Sequence, residues 1–154
     1  MINELLDEAT DASVEVREHI FKNEKLKGLY LDGVITINKN IISTTTESIC
    51  VIAEELGHHF TSFGNILNQR DVRSRKQEKR ARNWAYERLV TLFGFVHAFE
   101  TGVQNRFELA EYFGVTEEFI EETIKHYQEK HGEYKIIENY IIFFNPLKIG
   151  KMFD

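Results

Sequence analysis

The sequence predicts an α+β fold, and three observations carry that expectation. Apolar residues recur at helical spacing through most of the 154-residue chain. The stretch "GLYLDGVITIN" holds two strand-like runs joined by Asp32-Gly33, a strong two-residue hairpin signal. Near the end, "YKIIENYIIFF" alternates like a second hairpin around Glu138-Asn139. The length suits one compact unit: a core over residues 1–102, with a piece over 103–154 packed on it.

The elements follow in order. Leu5, Leu6, Ala9, Val16, Ile20 and Phe21 fall at roughly helical spacing and predict a helix over residues 2–23. Strands are expected at Leu29–Leu31 and Val34–Ile37. In "STTTES", Thr44 and Glu47 form a capping-box pattern that opens a helix running to about Phe60. Gly57 inside it costs about 1 kcal/mol relative to alanine, so something other than propensity calls for a small residue there. "TSFGNILNQRD" reads as a loop. Helices are then expected from Ser74 to Phe93 and from Val96 to Thr101. "RFELAEYFGVTEEFIEETIKHYQEKHG" reads as helix, turn at Gly114, helix, with Thr116 as N-cap and Glu117 and Glu118 in the first turn.

Composition limits the function. With 42% hydrophobic and 29% charged residues, the chain can bury a core. No apolar run reaches the roughly 18–20 residues of a membrane helix, so no membrane partner is expected. The acidic start "MINELLDEAT" and the lone Cys50 favour the cytoplasm. A net charge of −6 counts against gross affinity for nucleic acid. The basic run "RDVRSRKQEKRAR" reads as a solvated helix start, with a docking surface for an acidic substrate or a nucleic-acid phosphate as the sharper reading. The second helix of the turn-joined pair carries Glu117, Glu118, Glu121 and Glu122, which phosphates would repel. No direct DNA binding is expected, and that pair reads as structural or protein-binding.

The chemistry concentrates in "VIAEELGHHF", close to the H-E-x-x-H of zinc proteases but with Glu54 in the first position. A helix advances about 100° per residue, so His58 lies about 40° from Glu54 and Glu55 about 100° from it. Two ligands one turn apart with a carboxylate beside them suit a divalent metal and a general base. A third ligand is needed, and Glu78 can supply it: Glu78, Ala81, Arg82, Ala85 and Leu89 lie along one stripe, and the alanines allow the two helices to approach closely. Glu87 lies about 180° from Glu78 and is the poorer choice. His59 is expected to cap the helix or pack. Cys50 is expected to be a small buried residue. His19, His97, His126 and His131 have no partner at metal spacing and are expected at the surface.

Together, "EELGHHF" and "EKRARNWAYERLV" resemble two motifs of the ImmA/IrrE metallopeptidases: H-E-L-G-H-H after a hairpin, and E-x-x-A-N-x-F-A-x-x-L-L some twenty residues later. Glu55, Leu56, Gly57, His58 and His59 match the first; Glu78, Ala81, Trp84, Ala85 and Leu89 follow the second. The resemblance covers about residues 1–100. It implies a zincin-like core, with helices and a small antiparallel sheet, followed by a helix-turn-helix-like pair and a terminal hairpin. It implies Glu54, His58 and Glu78 as ligands of zinc, with manganese or another divalent ion as alternatives, and Glu55 as the base. The implied substrate is a helix-turn-helix repressor of a phage or mobile element, whose cleavage relieves repression. The rival expectation is a catalytically degenerate member acting as a non-enzymatic regulatory protein-binding module. Glutamate at 54 gives two carboxylate ligands, which neutralise a divalent ion, weaken it as a Lewis acid and favour harder ions.

Overall fold

A computed structural model describes residues 1–61 and 72–153, the side chains of 72–74 excepted. Among these residues the order is α1 (Ile2–Asp11), β1 (Glu15–His19), β2 (Gly28–Leu31), β3 (Val34–Asn38), α2 (Thr45–Thr61), α3 (Val72–Leu89), α4 (Leu92–Glu100), α5 (Arg106–Phe113), α6 (Glu117–His131), β4 (Tyr134–Ile137), β5 (Tyr140–Phe144) and β6 (Leu147–Lys151). The expected loop over 61–71 lies, beyond Thr61, outside the described residues. The chain divides into two compact units, Met1–Ala85 and Tyr86–Asp154.

The first unit holds a three-stranded sheet in the order β1-β3-β2. Its hairpin turns at Asp32-Gly33 with both residues at positive φ, 48° and 78°, the backbone that such a tight turn requires. Ile35 and Ile37 of β3 are buried, as are Leu5 and Ala9 of α1 and Ile49, Ile52 and Leu56 of α2. The long first helix that the spacing suggests does not form. Its helix stops at Asp11, Ser13 turns left-handed at φ 59°, and residues 15–19 become β1, parallel to β3. The ladder that β3 offers outweighs the local helical spacing of Val16 and Ile20. The sheet is therefore mixed rather than antiparallel. Asn38, fully buried, ties down the β1–β2 connection: it donates to the Leu26 and Asn23 carbonyls and accepts from the Phe21 amide.

In the second unit the expected single helix to Phe93 ends instead at Leu89, and α4 starts three residues on. Thr91 is the reason: its hydroxyl accepts from the Gly94 amide as an N-cap. Thr116 caps α6 in the same way, and Gly114 closes α5 in the left-handed conformation. The terminal hairpin turns at Glu138-Asn139 as expected, but a third strand, β6, extends it. Ile142 and Phe144 carry the sheet's buried face, beside Phe95, Ile120 and Tyr127 of this unit's core.

Candidate metal centre

Helix α2 begins with a variant of the capping box, in which the Glu47 carboxylate meets the Thr44 hydroxyl. The Glu47 amide donates to the Thr44 hydroxyl and the Thr44 hydroxyl to the Glu47 carboxylate, each at 3.1 Å. Ile49, Ile52, Ala53 and Leu56 face the core and so fix the rotation of the helix. That rotation leaves Glu54 half-buried and sinks Glu55 and His58, at 8% and 3% exposed.

Helix α3 meets α2 at glycine and alanine. A Cβ at Gly57 would overlap the Ala81 carbonyl oxygen and lie 2.9 Å from its carbonyl carbon. Close approach is why the helix tolerates glycine there, and it brings Glu78 to His58. Their atoms Oε1 and Nε2 stand 3.2 Å apart. One ligand atom from each of Glu54, His58 and Glu78 lies within 4.8 Å of the other two.

The donor set fits a divalent ion. Bonds of about 2.0–2.2 Å in a tetrahedral centre hold donors roughly 3.4 Å apart. His58 and Glu78 already stand at that separation, and Glu54 is within a side-chain adjustment of it. One imidazole and two carboxylates suit zinc, and also manganese.

Glu55 sits beside this triad, against the sheet. Burial pushes its carboxyl up to about 7, helped by the charges of Glu54 and Glu78 and opposed by His58 and by the Tyr30 amide, which donates to it. A Cβ at Gly28 of β2 would fall 2.5 Å from Val51 Cγ1 and 3.2 Å from Glu55 Oε1, so the glycine leaves room for the carboxylate. For His58, burial works to lower the pKa, but the Glu78 hydrogen bond and the surrounding carboxylates outweigh it and raise it.

His59 packs, as expected. Its Nδ1 bonds the Tyr30 hydroxyl at 2.6 Å, and rings run from Tyr30 through His59 and Phe60 to Trp84. Cys50 is half-exposed rather than buried. Glu87 faces Lys130 and His126, away from any role with Glu78. His19 and His97 are exposed, but His126 is buried, because α6 turns it towards Tyr86 and Tyr127.

One residue of this site was missed in the sequence. Arg82 Nε donates to Glu54 Oε1 at 3.2 Å, and its Nη2 lies 3.9 Å from Glu78 Oε2. The signal was its position four residues after Glu78 on a helix, which puts the two side chains on one face.

Comparison with curated proteins and with solved structures returns no match. Among protein families, the model described as Peptidase_M78, IrrE N-terminal-like domain, matches residues 9–125. That span holds α2, α3 and the whole triad, and it covers most of the chain. The chain belongs to the IrrE N-terminal-like family of peptidases.

Proposed function

We propose that this protein is a metal-dependent endopeptidase that holds its ion through Glu54, His58 and Glu78 and uses Glu55 as general base. The observation that carries this is the convergence of the three side chains from two helices beside a buried carboxyl held near neutrality. When bound, a divalent ion (zinc, or manganese as the harder alternative) supplies Lewis-acid polarisation of the scissile carbonyl and of water.

The chain's own groups do the rest. Glu55, beside the triad, has a carboxyl raised to about 7, which suits a group that must both take and return a proton at neutral pH. Its carboxylate accepts the proton of attacking water and passes it to the leaving amide nitrogen. The Tyr30 amide orients that carboxylate, and Gly28 leaves space for it. Glu78 orients the His58 ring through Nε2 until an ion takes its place.

The substrate in this reading is a protein. The family resemblance points to a helix-turn-helix repressor of a phage or mobile element, cut to relieve repression in the cytoplasm. Among the described residues no helix is long and apolar enough to cross a membrane. The α5–α6 pair serves as a structural or protein-binding piece, since Glu117, Glu118, Glu121 and Glu122 are all exposed.

One observation favours a second reading. The Glu54–Arg82 pair partly satisfies the triad without an ion, as expected of a degenerate, regulatory member. The two readings part on cleavage. A zinc-loaded protein incubated with a library of protein-derived peptides should create new N-termini. Glu55→Gln, which cannot take the proton, should abolish them while still binding zinc. Equal cleavage by both proteins, or none by either, rejects the endopeptidase reading.

A further inference from the structure

The arginine at the centre deepens that reading and rests on it. Arg82 reaches across two helices: Nε meets Glu54 on α2 at 3.2 Å, and Nη2 lies 3.9 Å from Glu78 on α3. The oxygens of Glu78 are divided, Oε1 towards His58 and Oε2 towards Arg82. On Glu78 the guanidinium thus lies nearest the oxygen that the imidazole does not meet. Set beside the two motifs of the resemblance, Glu54 stands for the first histidine and Arg82 for the asparagine after the alanine. These two departures from the motifs touch each other; Trp84 and Arg88 depart as well.

We propose that Arg82 is a resident counter-cation of the metal centre, sharing the Glu54 and Glu78 carboxylates with the ion and so setting how tightly that ion is held. The charge count supports it. Two carboxylates alone would neutralise a divalent ion; the arginine restores one positive charge, the balance that two histidines and one glutamate would give. Arginine keeps its charge at every working pH, so this compensation is permanent. Without an ion, Arg82 relieves the repulsion between Glu54 and Glu78. With an ion, the same positive charge opposes binding.

Physical magnitudes decide the sign. A guanidinium a few ångströms from a doubly charged ion weakens its binding on the order of tenfold even at water-like screening. The side chain is 54% exposed, which keeps the effect near that lower value. Losing the arginine's grip on Glu54 acts in the same direction, because that pair stabilises the metal-free site, but it is smaller, since an exposed ion pair contributes only about 0–1 kcal/mol. The metal-free site is therefore stable, and the ion exchanges more readily than its ligands alone would allow.

The test uses the full-length protein stripped with a chelator, with zinc chloride as the probe and a chromogenic competitor reporting affinity. Arg82→Gln should bind zinc about tenfold more tightly. It should also melt lower without zinc, show a larger rise with it, and lose its affinity gain in high salt. Arg82→Lys keeps the charge and should stay within about threefold of the wild type. Unchanged or weaker zinc binding in Arg82→Gln, with the wild type binding zinc and His58→Ala not, overturns the role of Arg82 and leaves the metal centre standing. A wild type that melts as a folded protein yet binds no zinc overturns both.

Discussion

Gly57 of α2 lies against the backbone of Ala81 in α3, so close that a single added methyl would overlap the Ala81 carbonyl oxygen. The helix-weakening residue inside "EELGHH" is thus the contact that lets Glu78 reach His58. Gly57→Ala should gain about 1 kcal/mol of helix propensity. It should lose about 1–3 kcal/mol to overpacking against rigid backbone. The net result should be a lower melting temperature and weaker zinc binding. A higher melting temperature with zinc affinity unchanged would show that the close approach is not needed.

Glu55 makes the metal-free protein sensitive to pH. Its folded pKa of about 7 stands above the ordinary 4.5, so its contribution to stability is full below about 4.5 and is lost as pH rises through 7. Glu55→Gln has the same shape and no charge. Without metal it should match the wild type near pH 5 and exceed it at pH 8, by on the order of 2–3 kcal/mol. Chemical denaturation of both chelated proteins at the two pH values checks this; equal stability at pH 8 would mean that the carboxyl is not held in a raised state.

His126 predicts a dependence of the opposite sign in the second unit. Burial lowers its pKa, and Lys130 adds to the effect; Glu87 and Glu129 act against them. Its Nε2 has no hydrogen-bond partner among the described residues, the Glu87 carboxylate standing 3.8 Å away. A histidine held neutral contributes stability above about pH 6.5 that is lost as pH falls through its folded value. His126→Phe, between Tyr86 and Tyr127, should therefore flatten the acid limb of the stability curve. An acid limb of the same steepness in the variant would count against the buried neutral ring.

Local signals carried much of this architecture. The Thr44–Glu47 box, the Asp32-Gly33 turn and the Thr116 cap each rest on neighbours within three residues, so the sequence reveals them. The grouping of Glu54, His58 and Glu78 was legible for a related reason: helical angle placed two of them, and small residues allowed the third. β1 was not legible, because its partner β3 lies nineteen residues away, Glu15 opposite Val34, and its own spacing also suits a helix. Thr91 was passed over as a cap because the apolar pattern runs on through it. Arg82 looked like one charge in a basic run. Only the packing of α3 on α2 shows that it reaches Glu54.

The central claim is that Glu54, His58 and Glu78 together hold one ion. Its most direct test is the metal content of the purified full-length protein by elemental analysis, with and without added zinc, beside His58→Ala. The account predicts about one divalent ion per chain and a melting temperature raised by zinc, both lost in His58→Ala, because binding to the folded state stabilises it. Zinc content and melting temperature that are the same in His58→Ala as in the wild type would contradict it.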